Sequence, residues 1–363
     1  MRYLLTALSL LAPLAAPHAP RAQTRPAPGP SDVRLTTIPH RVYKTNDGVE
    51  TEAATESWVF HVVVKQRRGP PLEPRAATVV LYSGPRPVKT VRFGPEALAA
   101  ARGVNFKSES KQVELSARYF AAQDETFDLR HSFTEPVKLK IDRLGYTLEL
   151  QTPRGARLRR ALSVPVSYYA QKAKLIFPLK GPFMVTRGHV TDASGHSEWS
   201  QHYAYDIMGL GPRYEPVRTN GETNEDFYGW GREVVAPGDG VVAYARNDVP
   251  DNKKPGERAR ELLLKLPEPQ WAVAGNVVVI DHGGGEFSIL GHLRQGSVRV
   301  KAGGRVRSGE VVGLMGNSGN SGGPHLHYHL MNGPALFRHD GLPSRFDNLE
   351  VPVPKRGSFL EPK

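Results

Sequence analysis

The sequence predicts an all-β protein in two parts, and three features lead to that reading. Strand-like alternation of apolar and polar residues recurs from about Val33 to Gln151. A second set of short apolar runs, separated by Gly and Asn, follows between residues 165 and 345. Between Val33 and Gln151 a single segment reads as a helix, Pro95–Arg102, with Pro at its start and Gly103 beyond its end.

Taken in order, Met1-Arg2-Tyr3 precedes an apolar stretch from Leu4 to Ala16 and then small residues and Pro. That pattern predicts a secretory signal over residues 1–22, cut near Ala19 or Ala22, and hence export to the periplasm or the cell exterior. Residues 23–32 are Pro-rich and are expected to be disordered. In residues 33–151, Trp58, Phe60, Val62 and Val64 alternate with Val59, His61, Val63 and Lys65. Val137, Leu139 and Ile141 alternate likewise, Arg143-Leu144-Gly145 reads as a turn, and Tyr146, Leu148 and Leu150 complete a hairpin. Many short strands with turn signals predict an immunoglobulin-like β-sandwich, with His61 and His131 on its surface.

Residues 152–164 are basic, contain Pro153 and Gly155, and read as a linker. In the second domain, 165–345, strands are expected at Val234–Ala236, Gly240–Tyr244, Asn276–Asp281, Ser288–Leu293, Glu310–Met315 and His325–Leu330. Residues 346–363 read as a tail. Two long connections, Gly211–Trp230 and Asn247–Ala274, are expected to border a cleft; the second carries a charged helical piece at Glu257–Leu266.

Composition narrows the function. The 363 residues contain no Cys, so neither a disulfide, a thiolate ligand nor a lipid-modified Cys exists. The net charge of +12 suits anionic envelope polymers as partners. The basic residues are dispersed, without a recognition helix, zinc finger or aromatic RNA motif, which argues against nucleic acid.

The chemistry concentrates in a few motifs. His325-Leu326-His327 follows the Gly/Ser/Asn-rich run Gly316–Pro324, which is expected to turn tightly and deliver it. Two residues apart on a strand share a face, so both imidazoles meet one space, as does His329. Upstream lies His202-Tyr203-Ala204-Tyr205-Asp206, and between them Leu290-Gly291-His292-Leu293. Two His and one carboxylate around an open position suit a hydrolytic zinc site, with further imidazoles moving protons. An iron oxygenase uses a similar ligand set, but its His-x-Asp/Glu spacing is missing from the required place.

These blocks, with Gly231–Val241 and Gly275-Asn276-Val277-Val278-Val279-Ile280-Asp281-His282-Gly283 between them, resemble the lysostaphin/LytM-type zinc metallopeptidases, peptidase family M23. The resemblance runs from about Phe177 to Leu336. It implies His202, Asp206 and His327 as zinc ligands and His292 and His325 as catalytic histidines. It further implies an endopeptidase acting on peptide cross-links of peptidoglycan, expected as a monomer. The alternative is a non-catalytic LytM-like module that regulates other wall hydrolases. The chain departs from the family at Ala204 (usually Gly), at Leu290 (where a Tyr hydroxyl is usual) and at His329 (often acidic). His189, His196, His282 and His339 are expected to lie outside the ligand set.

Overall fold

A computed structural model describes residues 33–46, 54–66, 71–101, 125–188, 196, 199–258, 263 and 265–363. The expected signal, the Pro-rich segment and His189 lie outside them, as does part of the helical piece at 257–266. The fold is all-β, as the sequence predicts.

The first unit contains β1 (Val33–Ile38), β2 (Val42–Asn46), β3 (Thr55–Gln66), β4 (Glu73–Ser83), β5 (Arg86–Phe93), α1 (Pro95–Ala101), β6 (Glu125–Pro136), β7 (Arg143–Gln151) and β8 (Arg157–Tyr168). Its strands pair in the order β1-β3-β2-β8-β7-β4-β5, with β6 also on β3. The short strand β2 pairs with β3 on one side and β8 on the other, so the eight strands are linked in one sheet, seven of them along one path and β6 beside it on β3. Trp58, Phe60, Val62, Leu81, Leu129, Tyr146 and Val166 fill the core.

Three local expectations change here. Arg143-Leu144-Gly145 does not turn; it opens β7, and the preceding Val137–Leu139 forms a 3-10 turn ended by Lys140 at φ 49°. Gly145 serves close packing instead, since a Cβ there would stand 3.3 Å from the Tyr82 ring. Residues 152–164 are not a linker but the β7–β8 turn and most of β8. Leu158, Leu162 and Val164 alternate with exposed Arg157, Arg159, Ala161 and Ser163, a strand pattern masked by the arginines. His61 and His131 are buried rather than superficial; the His131 ring meets the Tyr146 hydroxyl at 2.9 Å beside Phe60 and Phe93.

The second unit contains β9 (Phe183–Arg187), β10 (Tyr205–Gly209), β11 (Glu233–Val235), β12 (Gly240–Arg246), α2 (Pro269–Ala272), β13 (Asn276–Asp281), β14 (Phe287–Leu293), β15 (Arg305–Val306), β16 (Val311–Leu314), β17 (Leu326–Met331), β18 (Gly341–Leu342) and β19 (Phe359–Leu360). The main sheet is antiparallel in the order β15-β12-β13-β14-β17-β10-β9-β19, with β18 on β17. One face packs Tyr205, Ile207, Leu290, Leu326, Tyr328 and Leu330 against Phe177, Phe183 and Phe346. The other packs Val277, Val279, Ile289 and Met331 against Trp271, Leu336 and Phe337. Residues 346–363 are no loose tail. Phe346 and Leu349 are buried in the first of these cores, and β19 pairs with β9.

The segment after β8 is fastened to the second unit by one carboxylate. Glu286 is fully buried and accepts from the backbone N–H of Lys172 at 2.8 Å and of Ala173 at 2.7 Å, and from the Tyr169 hydroxyl. Removing an acceptor that serves three donors leaves them unpaired, at about 1–3 kcal/mol each when buried. Glu286→Ala should therefore lower the urea midpoint by an amount equivalent to about 2–4 kcal/mol, with its slope unchanged. A loss below about 0.5 kcal/mol would show that this carboxylate does not hold the joint.

Candidate metal and catalytic centre

The register of three strands assembles the site. Asp206 on β10 stands directly opposite His327 on β17, and Gly291 on β14 stands opposite His327 on the other side. Alternation sends Leu326, Tyr328 and Leu330 into the core and His325, His327 and His329 into a cleft of about 550 Å³, as the spacing predicts. Asp206, His292, Phe227, Val273 and Ala274 also line this cleft, so both long connections border it.

Asp206 is the hub. Its Oδ1 lies 3.0 Å from His327 Nδ1, 3.2 Å from His196 Nε2 and 3.6 Å from His325 Nε2, while Arg187 Nε approaches Oδ2 at 3.8 Å. Burial alone would raise its pKa; His196 and His325 outweigh that and hold the carboxyl well below its usual range. His325 is burdened by burial too, but the charge and contact of Asp206 raise it above the ordinary imidazole value. Burial instead pushes His327 down, and His292 and His329 well down, with neighbouring imidazoles adding to the effect.

Hydrogen bonds fix the rings. A backbone carbonyl only accepts, so His292 Nδ1 donates to Ser318 O and His325 Nδ1 donates to Gly323 O, each at 2.8 Å. Both rings thereby keep Nε2 on the far side from the loop. A carboxylate likewise only accepts, so His327 Nδ1 carries the proton toward Asp206. Neutral His327 then accepts at Nε2 from His329 Nδ1 at 2.9 Å, and His329 Nε2 is left buried without a partner among the described residues.

The loop carrying Ser318 is itself locked. Ser318 Oγ accepts from Asn276 N at 2.9 Å and donates to Leu293 O at 2.6 Å; Asn252 Nδ2 donates to Asn317 O at 2.7 Å. Gly319, at φ 77°, crosses Gly275 so closely that a Cβ would stand 2.5 Å from its nitrogen. His292 itself adopts φ 59°, a left-handed backbone that costs a β-carbon residue on the order of 1 kcal/mol and marks a constrained site.

His202 takes another place. It follows the 3-10 turn Trp199–Gln201, ahead of β10, and is 1% exposed. Its ring stacks on His61 of β3, with the two Nε2 atoms 3.1 Å apart, and its Nδ1 has no partner among the described residues. His61 in turn pairs through Nδ1 with Asp128. Among the described residues, the three whose ligand atoms lie within 4.8 Å of one another are His196, Asp206 and His327. The sequence reading places His196 outside the ligand set, as a lone His ten positions before Asp206 with no apolar period around it. The site's residues fit a divalent cation: one carboxylate oxygen and two imidazole nitrogens converge, and a buried ring nitrogen behind them is orphaned.

Residues 226–338 match the model of Peptidase family M23. They belong to that family. The matched stretch contains His292, His325 and His327, while His196, His202 and Asp206 precede it. Among curated proteins, the chain is 36% identical over 136 residues to the peptidoglycan DD-endopeptidase ShyA of Vibrio cholerae, covering 37% of this chain and 25% of that protein. It is 38% identical over 81 residues to the DD-carboxypeptidase/endopeptidase Mpg of Neisseria meningitidis, 22% of this chain and 16% of that one. A third relative is the murein hydrolase activator EnvC of Escherichia coli, 39% identical over 56 residues, 15% of this chain and 13% of EnvC. The M23 match thus spans a quarter or less of these relatives. Among solved structures, a zinc-containing peptidase from Vibrio cholerae aligns with TM-score 0.26 and 15% identity, over 79% of this chain and 82% of that one.

The buried histidines set a pH dependence for the metal-free protein. His131, His202, His282, His292, His327 and His329 have depressed folded pKa values, so below about 6.5 the unfolded chain takes up protons that the folded chain refuses. Each costs stability as pH falls through that value, up to about 1.4 kcal/mol per pH unit. His325, with a raised folded pKa, acts oppositely, favouring the fold below about 6.5 and losing that contribution as pH rises through its folded value. With six such histidines against one, stability of the metal-free protein should fall from pH 7 to pH 5. Denaturant midpoints at pH 7, 6 and 5 test this, and a flat or rising series contradicts it.

Proposed function

We propose that this chain is an exported zinc-dependent endopeptidase that cuts peptide cross-links of peptidoglycan. The observation that carries the reading is the convergence of His292 and His325 on the Asp206–His327 pair in one cleft, inside and beside the M23 match. The printed activities of ShyA and Mpg support the substrate class. The predicted signal over residues 1–22 supports an envelope location.

Asp206 and His327 would hold the metal, with His196 as the third ligand in place of the expected His202. Bound there, zinc supplies Lewis acidity, which polarises a carbonyl and lowers the pKa of water. His329 would back His327: if His327 held the metal through Nδ1, its Nε2–H would donate to His329 Nδ1, the place where the family often has a carboxylate.

Environment divides the remaining imidazoles. His292, held neutral by burial, has its proton on Nδ1 and a free lone pair on Nε2, so it accepts a proton from the attacking water. His325, lowered by burial but raised above the ordinary imidazole value by Asp206, is the better placed to present an Nε2–H to the developing oxyanion and to give a proton to the leaving amine, His292 keeping the one taken from water until product leaves. The second reading, a regulator of other wall hydrolases, is favoured by the EnvC match alone.

His325→Ala and His292→Ala should keep zinc and fold while losing about 10²–10⁴ in sacculus turnover. His327→Ala should lose zinc as well. Zinc retained in His327→Ala, or full turnover in either of the other variants, overturns the assignment.

The third ligand is decided by metal content. His196→Ala should lose zinc and His202→Ala should keep it, while His329→Leu should weaken affinity by about 10–100-fold and His329→Glu restore it. Competition with a chromophoric chelator measures all four; zinc loss confined to His202→Ala returns the ligand role to that residue.

A further inference from the structure

The cleft has a charge bias that catalysis does not require. Among its described lining residues the one acid is Asp206, already engaged by three imidazoles and Arg187. Two guanidinium groups line the same cavity, Arg187 at the end of β9 and Arg258 in the loop after β12. The Arg187 side chain is half exposed and reaches Asp206 through Nε at 3.8 Å, leaving its terminal fork without a carboxylate partner among the described residues. Arg258 is exposed and makes no ion pair among the described residues. Its guanidinium stands beside the turn that delivers His325, with Nη2 3.0 Å from where a Cβ on Gly322 would be. Phe227, Val273, Ile289, Leu336 and Phe337 supply apolar wall.

We propose that Arg258, assisted by Arg187, forms a carboxylate-binding subsite, so that the peptide taken into the cleft carries a free carboxylate near the bond cut. The proposal rests on the peptidase reading and names its substrate class. A guanidinium is a planar fork of donors that matches a carboxylate in two parallel hydrogen bonds, which fixes orientation as well as charge. Between exposed groups in water such a pair contributes little. Inside a concave cavity with apolar walls the field is focused and the ligand partly desolvated, so the same pair counts for more. The carboxylate has two sources, the terminal α-carboxylate of a stem peptide or a carboxylate on one of its side chains.

Synthetic cross-linked peptides in three forms distinguish them: both carboxylates free, the terminus amidated, and the side chain amidated. With the full-length zinc-loaded protein, Arg258→Gln should raise KM for the free form about tenfold, with kcat changed less than about twofold. Arg258→Lys should fall between, because it keeps charge and loses the fork. Amidation at the recognised carboxylate should raise the wild-type KM by a like factor and remove the effect of Arg258→Gln; amidation at the other position should do neither. Equal KM for all three forms in the wild type, or an Arg258→Gln loss that is the same on all three, overturns the subsite. If the wild type turns over none of them, the peptidase reading has failed, and fluorescence anisotropy of labelled peptides decides the subsite separately: tighter binding of one free acid than its amide, lost in Arg258→Gln, upholds it, and equal binding overturns it.

Discussion

A carboxylate buried among imidazoles is the constraint around which the second unit is arranged. Asp206 is 9% exposed, and an unpaired charge at that depth would cost several kcal/mol. It stays ionised because cationic or N–H-bearing groups approach from three elements: β17, the loop before it, and the segment containing His196. Those elements are held by register rather than by the contacts themselves. Asp206 opposite His327, and Gly291 opposite His327 in turn, follow from the pairing of β10, β17 and β14, whose other faces form the main core. The apolar alternation therefore fixes where the polar alternation must meet. Shifting β17 by one residue would put Leu326 and Tyr328 in the cleft and its histidines in the core.

Much of this was legible. The Leu326, Tyr328, Leu330 alternation announces β17 and places His325, His327 and His329 on one side, because strand period is two whatever the fold. The continuous apolar run Val277–Ile280 announces β13, a strand covered on both faces. What could not be read is equally specific. Phe183–Arg187 and Tyr205–Gly209 form strands of five residues each, too short for a period to declare itself. β8 was obscured by arginines on its solvent face, because charge next to Pro and Gly imitates a linker.

His202 and His196 show what spacing alone leaves open. Four positions along a continuous strand or helix would set His202 and Asp206 on one face, but β10 begins only at Tyr205 and a 3-10 turn ends at Gln201. The three residues between obey neither period, so the direction of the His202 ring was undetermined by its sequence distance from Asp206. His196 meets the same carboxylate from ten positions earlier in the sequence, a contact that no local pattern encodes.

The contact that did claim His202 lies in the other unit. Asp128 on β6 and His61 on β3 are cross-strand neighbours, and His61 presents its second nitrogen to His202. Such a chain needs one proton between the two Nε2 atoms. Asp128 only accepts, so it keeps a proton on His61 Nδ1. With that proton on Nδ1, His61 Nε2 can accept from His202 Nε2–H, leaving His202 Nδ1 bare, the atom without a partner among the described residues. The neutral form of His202 fits that assignment, since burial, with His61 and Arg130 nearby, disfavours its cation. The two units are thus joined at this point by a directed hydrogen bond between imidazoles, beside the segment that Glu286 fastens, and not by apolar packing alone. Because these contacts run from Asp128 to a residue four positions from Asp206, the first unit is linked through them to the approach to the cleft.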